Sequence, residues 1–99
     1  MEMFFVKIHT KLGRQVLAIC DDEILGKTFE DGDLFFEVKK DFYGGEKLND
    51  KQVRELLINV DNFNIIGKRI IVLALELKII DDDSIMRIKG VPHAQGIAL

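Results

Sequence analysis

Ile66-Gly67-Lys68-Arg69-Ile70-Ile71-Val72-Leu73-Ala74-Leu75-Glu76-Leu77 is the stretch that decides the fold class of this chain. Ile66, Ile70, Leu73, Ala74 and Leu77 recur at helical spacing, and Leu, Ala, Glu and Lys favour helix. Against that stands Ile70-Ile71-Val72, three β-branched residues in succession that also suit a buried strand. The helical period covers the longer segment, so the stretch is predicted to be a helix. A second helix is written more plainly upstream. Asn49 stands at its cap, Gln52 is placed to close a capping box, and Leu48 and Val53 occupy the positions of a hydrophobic staple. Val53, Leu56, Leu57 and Val60 then form one apolar stripe.

Strand patterns surround these helices. Residues 3–10 alternate, with Phe4, Val6 and Ile8 on one side and Phe5, Lys7 and His9 on the other. Lys11-Leu12-Gly13-Arg14 reads as a turn and residues 15–20 as the returning strand of an antiparallel hairpin. Asp21 can cap a short helical turn through Asp22, Glu23, Ile24 and Leu25, with Gly26 as its left-handed stop. Glu30-Asp31-Gly32-Asp33 reads as a loop, residues 34–39 as a third strand, and Asp81-Asp82-Asp83-Ser84 as a turn. Residues 85–88 give a fourth strand and residues 96–99 a fifth. The expected architecture is one α+β domain over residues 1–99, a small, mostly antiparallel sheet with two helices packed on one face.

Composition narrows the function classes. Ninety-nine residues with 47% apolar side chains suffice for one core. The longest apolar run, Ile70 to Leu75, is six residues, far from the ~18–20 of a membrane span. Met3-Phe4-Phe5-Val6 is too short for a signal-peptide core. A cytoplasmic protein without membrane association is expected, and a lone cysteine, Cys20, agrees with a reducing compartment. Acids outnumber bases, 17 to 14, for a net charge of −3, which disfavours unaided DNA or RNA binding. Lys7, Lys11, Arg14, Lys39 and Lys40 can still form a local basic face, or simply solvated strand edges. One Cys and two separated His give no zinc spacing, Ser84 lies outside any nucleophile elbow, and no GxGxxG or Walker sequence is present. No metal or cofactor is expected.

Three segments carry chemistry. Gly90-Val91-Pro92-His93-Ala94-Gln95-Gly96 holds the only proline, and its glycines and Pro92 suggest a fixed loop that projects His93 and Gln95. Such a His93 is either a ligand-binding or catalytic imidazole, or a strut that ties the C-terminal strand to a backbone carbonyl. As a loop residue it would contribute little to folding. Asp41-Phe42-Tyr43-Gly44-Gly45 offers a ring for stacking at Tyr43 and, at Gly44 and Gly45, amides able to approach an anion; the plainer reading is a turn. Asp21-Asp22-Glu23 supplies carboxylates, so that Asp21 or Glu23 beside His93 would make an acid–base pair, unless Asp21 is only a cap. Cys20, next to three acids, is expected to be a core residue and a poor thiolate. All three segments are expected to gather at one edge of the sheet.

Asp21-x-Glu23-x-Leu25-Gly26-Lys27-Thr28-Phe29, Phe42-Tyr43-Gly44-Gly45, Asn64-Ile65-Ile66-Gly67 and Gly90-Val91-Pro92-His93-Ala94-Gln95 follow one another in this order. With these blocks the chain resembles the small archaeal family catalogued as domain of unknown function 424. The resemblance implies an archaeal cytoplasmic protein of about this length and marks Asp21, Glu23, Gly26, Tyr43, Gly44, Gly45, Asn64, Gly67, Pro92, His93 and Gln95 as motif positions. It brings no activity, substrate or cofactor. The leading expectation is a non-enzymatic binding module of the information-processing machinery, met through a protein or RNA–protein assembly. The alternatives are a small-molecule enzyme with a His93–carboxylate pair, and a structural or homo-oligomerising protein.

Overall fold

The computed structural model describes residues 2–96. Strands β1 (Met3–Lys11) and β2 (Arg14–Asp21) form the opening hairpin. Leu12 and Gly13 turn it at φ 53° and 77°, the left-handed pair whose twist matches that of the flanking strands. A 3-10 turn (Asp22–Ile24) leads to a separate hairpin of β3 (Thr28–Asp31) and β4 (Leu34–Glu37). Then follow α1 (Lys40–Tyr43), β5 (Glu46–Asn49), α2 (Asp50–Leu57), β6 (Phe63–Ile66) and α3 (Lys68–Glu76). A hairpin of β7 (Met86–Ile88) and β8 (Val91–Gly96) ends the described chain. The main sheet runs β5-β1-β2-β6-β8-β7 and is antiparallel except for the β2–β6 pair.

The fold is α+β, as the sequence predicts. Both long helices form, and the capping box closes: Gln52 N–H donates to Asn49 Oδ1 at 2.9 Å and Asn49 N–H to Gln52 Oε1 at 3.0 Å. Ile70 and Ile71 are buried in α3, while Val72 faces outward at 56% exposure. Alternation divides the sheet between two cores. Phe4, Val6, Leu17, Ile19, Phe63, Ile65 and Ala94 meet Val53 and Leu57 of α2 and Ile70, Leu73 and Ala74 of α3. On the other face, Ala18, Cys20 and Ile66 meet Tyr43 and Val38, with Phe36 and Phe42 packed around them. This second layer, made by α1 and the β3–β4 hairpin, is absent from the expected two-layer arrangement.

Other differences concern local structure. Of the expected loop 30–33, Gly32 at φ 63° and Asp33 form the turn, while Glu30 and Asp31 pair within β3. The segment Asp41–Gly45 is not a simple turn: Asp41 to Tyr43 belong to the short helix α1, and Gly44 and Gly45 link it to β5. Gly90 sits in a turn at φ 76°, but the segment 91–96 is not a loop. It forms β8, hydrogen-bonded to β6 on one side and β7 on the other. Gly96 closes that strand, and the rest of the expected fifth strand, 97–99, lies outside the described residues. Among the described residues no helix is long and apolar enough to cross a membrane.

Candidate functional site

Cross-strand register places the polar residues of the second face. Asn64 of β6 stands opposite Gln95 of β8, and Ile66 opposite His93. Since side chains two apart share a face, Asn64, His93 and Gln95 emerge together on the side away from α2 and α3. Helix α1 is tied down over them. Lys7 Nζ donates to the Asp41 carbonyl at 2.7 Å and His9 Nε2 to the Phe42 carbonyl at 2.7 Å. The His9 ring also stacks on Phe42, centroids 4.5 Å apart and 15° from parallel. This anchoring brings Tyr43, 2% exposed, against β6.

The result is a relay centred on one carboxamide. Tyr43 Oη donates to Asn64 Oδ1 at 2.5 Å and His93 Nε2 to the same oxygen at 2.8 Å. An oxygen that accepts twice requires the Nε2-protonated tautomer of His93. Burial lowers the His93 pKa, which keeps the ring neutral near pH 7. Burial also raises the Tyr43 phenol, with the Cys20 thiol adding to the shift, so Tyr43 remains a donor. Behind them Cys20 is fully buried, and burial followed by the Asp21 charge pushes its thiol up to about 12. It is the inert core residue the sequence predicts. Asn64 is left with its Nδ2 hydrogens to offer, at the meeting of two pockets. One, of about 360 Å³, includes Phe35, Phe36 and Lys39 in its wall; the other, of about 500 Å³, includes Lys11, Arg14 and Gln95. Phe42 and Asn64 line both. His93 lines neither, and the Phe36 ring packs beside it, centroids 5.0 Å apart and planes tilted by 46°.

The acidic candidates are elsewhere. Asp21 stands beside Cys20 on β2 and therefore points to the opposite face. It caps α3 rather than its own turn: Oδ2 accepts from Arg69 N–H and Oδ1 from Ile70 N–H, each at 2.9 Å. Arg69 gathers the rest of the cluster. Its Nη2 donates to Asp22 Oδ1 at 2.9 Å and to Glu23 Oε2 at 2.5 Å, and its guanidinium lies 4.9 Å from the Phe4 ring centre. The Arg69 hydrogen bond brings the exposed Glu23 carboxyl down to about 2. No acid–base pair with His93 is formed; its partner is an amide. Gly44 and Gly45 do not cradle an anion either. Their amides donate inward, to the Lys40 carbonyl at 2.8 Å and the Tyr43 carbonyl at 3.0 Å. Among the described residues no group of three or more His, Cys, Asp and Glu is placed to hold a metal ion.

Of the expected site residues, then, Tyr43, His93 and Gln95 come together on one face, while Asp21, Glu23, Gly44 and Gly45 do not join them. The hub, Asn64, has no role in the residue-by-residue reading. Its signal is a carboxamide in the apolar run Phe63-Asn64-Ile65-Ile66. His93 is also more than a loop residue. His93→Ala is expected to cost about 1–2 kcal/mol, the price of one partly buried hydrogen bond and its packing. Calorimetry should show a Tm lower by about 4–8 °C per kcal/mol. The lowered pKa adds a pH signature. Stability from the neutral ring is complete above the ordinary value of 6.5 and declines as pH falls from there through the lowered native value. In His93→Ala that part of the decline should vanish.

The chain is similar to an uncharacterized conserved protein from Methanopyrus kandleri whose crystal structure is known. The likeness has 24% identity, covers 94% of this chain and 89% of that one, and has a TM-score of 0.75. At that identity it shows a shared fold. No curated protein matches the sequence. The family model for the protein of unknown function DUF424 matches residues 9–99, from His9 of the first strand through the Tyr43–Asn64–His93 relay, and the chain belongs to that family.

Proposed function

We propose that the chain is a non-enzymatic binding module for an RNA–protein assembly, cytoplasmic in setting, working through the sheet face around Asn64. One observation carries the reading. Asn64 is held by two donors where two pockets meet, and a fixed hydrogen-bonding group between apolar walls is built to recognise. General acid–base chemistry needs a proton-transfer group open to substrate with a partner to orient it. Here the imidazole bonds to the Asn64 carboxamide with the Phe36 ring packed beside it, Asp21 and Glu23 serve α3 and Arg69, and Glu37, in the wall of the smaller pocket, makes no hydrogen bond to it. The wall residue Phe35, 61% exposed, is suited to a partner contact. Affinity purification of the tagged protein from its native cells tests the reading. Ribosomal, tRNA or RNA-processing components should be recovered with the unaltered chain and lost with Phe35→Asp. Recovery of metabolic enzymes only would overturn it.

A further inference from the structure

The larger of the two pockets differs in charge from the rest of the molecule. Acids outnumber bases in the chain, 17 to 14, yet among the described residues this pocket is lined by Lys11 and Arg14 and by no Asp or Glu. Its other polar lining includes the carboxamides Asn64 and Gln95, which face each other across the β6–β8 register. Asn64 presents only its donor, because its oxygen already accepts from Tyr43 and His93. Gln95 is exposed and makes no side-chain hydrogen bond among the described residues, so it offers both a donor and an acceptor. Phe42 supplies an aromatic wall that His9 holds in place by stacking and by the bond to its carbonyl. A planar ligand with donors and acceptors along its edge and a negative group attached answers all three features.

We infer that this pocket binds a phosphorylated nucleobase, with Asn64 and Gln95 on the base edge, Phe42 against the base and Lys11 and Arg14 on the phosphate. The inference rests on the binding-module reading and names the ligand for part of the same face. A volume of about 500 Å³ lies within the ~300–1,000 Å³ of small-ligand sites. Aromatic walls beside cations, without a complete base-pair code, are the ordinary means of holding single-stranded nucleic acid. The facing carboxamide pair beside an aromatic ring favours a base over a peptide, whose acidic side chains would need the cations alone. Two sources share this chemistry, a free nucleotide and a unit of single-stranded RNA.

Titration of the isotope-labelled chain with the four nucleoside monophosphates, the matching nucleosides and 5′-labelled hexauridylate tests the inference by amide shifts and anisotropy. Shifts at His9, Asn64 and Gln95 should follow the monophosphates and be far weaker with nucleosides. If RNA is the source, the hexamer binds more tightly than any monophosphate. Two phosphate contacts on a single strand then predict about sevenfold weaker binding between about 50 and 200 mM salt. Lys11→Gln/Arg14→Gln should flatten that salt dependence, while Lys51→Gln on α2 should leave it unchanged. Equal or tighter binding of nucleosides, an unaltered salt slope in the double variant, or no response to any of these probes overturns the inference. So does a protein partner whose capture from nuclease-treated extract needs Lys11 and Arg14 when no nucleotide binds. The binding-module reading is judged separately, by the Phe35→Asp purification.

Discussion

Asp21→Ala is expected to destabilise the protein by about 3–5 kcal/mol, because it leaves two N–H groups of the α3 first turn without acceptors at ~1–3 kcal/mol each. Asp21 is 2% exposed, and both of its oxygens accept amide hydrogens from the first turn of α3. Its Oδ2 also lies 4.0 Å from Arg69 Nε. Without the carboxylate, α3 loses its cap and two interior N–H groups lose their acceptors. Native stability is only ~5–15 kcal/mol, so Tm should fall by about 15 °C or more, and urea unfolding should show the same loss. Asp21→Asn should fall between the two, since it keeps one acceptor oxygen. Glu23→Ala, by contrast, removes a carboxylate that is 54% exposed; solvent screening limits that effect to under ~1 kcal/mol. The acid limb separates the pair further. Glu23, brought down to about 2 by Arg69, contributes stability above its ordinary 4.5 that is lost as pH falls toward 2. Asp21 is pushed upward by burial against the pull of its amide donors. Its native carboxyl therefore holds a proton more tightly than the unfolded chain does, and relative stability rises as pH falls through its native value. An Asp21 serving acid–base chemistry would leave a folded, inactive protein on replacement; a cap leaves an unfolding one.

What the sequence made legible was local. The Asn49–Gln52 box, complete within one turn, and the stripe of Val53, Leu56 and Leu57 are short-range facts, although α2 ends at Leu57 and leaves Val60 beyond it. The period of α3 outweighed its β-branched trio because a helix pointed at a core needs only one apolar face. Pro92 was the main misdirection. A proline usually argues against an inner strand, since it cannot donate to the ladder. In an extended chain the N–H and C=O of one residue point to the same side, and the Pro92 carbonyl accepts from Gly67 N–H at 3.0 Å, just beyond the last β6 pair. The missing N–H thus faces the place where the chain turns into α3, where no ladder bond is required. Asn64 and Asp21 were obscure for another reason. Each is one polar residue in an apolar strand, and its meaning depends on partners 21 to 49 positions away. The parity of β2 alone sends Asp21 to the helices and Cys20 to the opposite face, which separated the supposed His93–carboxylate pair.

Gly67→Ala should be comparably damaging, by about 2–5 kcal/mol, through two separable effects. Gly67 adopts φ 127° and ψ 152°, a region essentially confined to glycine, where a side chain costs ~1–3 kcal/mol. An added Cβ would also stand 2.6 Å from both Asp21 carboxylate oxygens. The carboxylate would have to leave the amides it caps, adding a cap loss of ~0.5–2 kcal/mol. A double-mutant cycle distinguishes the effects. Asp21→Ala/Gly67→Ala keeps the backbone strain but has no carboxylate to displace, so its loss should be smaller than the sum of the single losses by about 1–3 kcal/mol. Strict additivity would mean that the close approach contributes nothing and backbone strain accounts for the whole effect. Gly67 also donates to Pro92, one residue before His93. A displaced Gly67 should therefore disturb β8 and the His93–Asn64 bond. Amide shifts at Asn64 and Gln95 in the still-folded fraction should move for Gly67→Ala and stay in place for Lys51→Gln. The cap on α3 and the recognition face on the opposite side of the sheet are thus joined by one residue, the glycine that lets the chain pass from β6 into the helix.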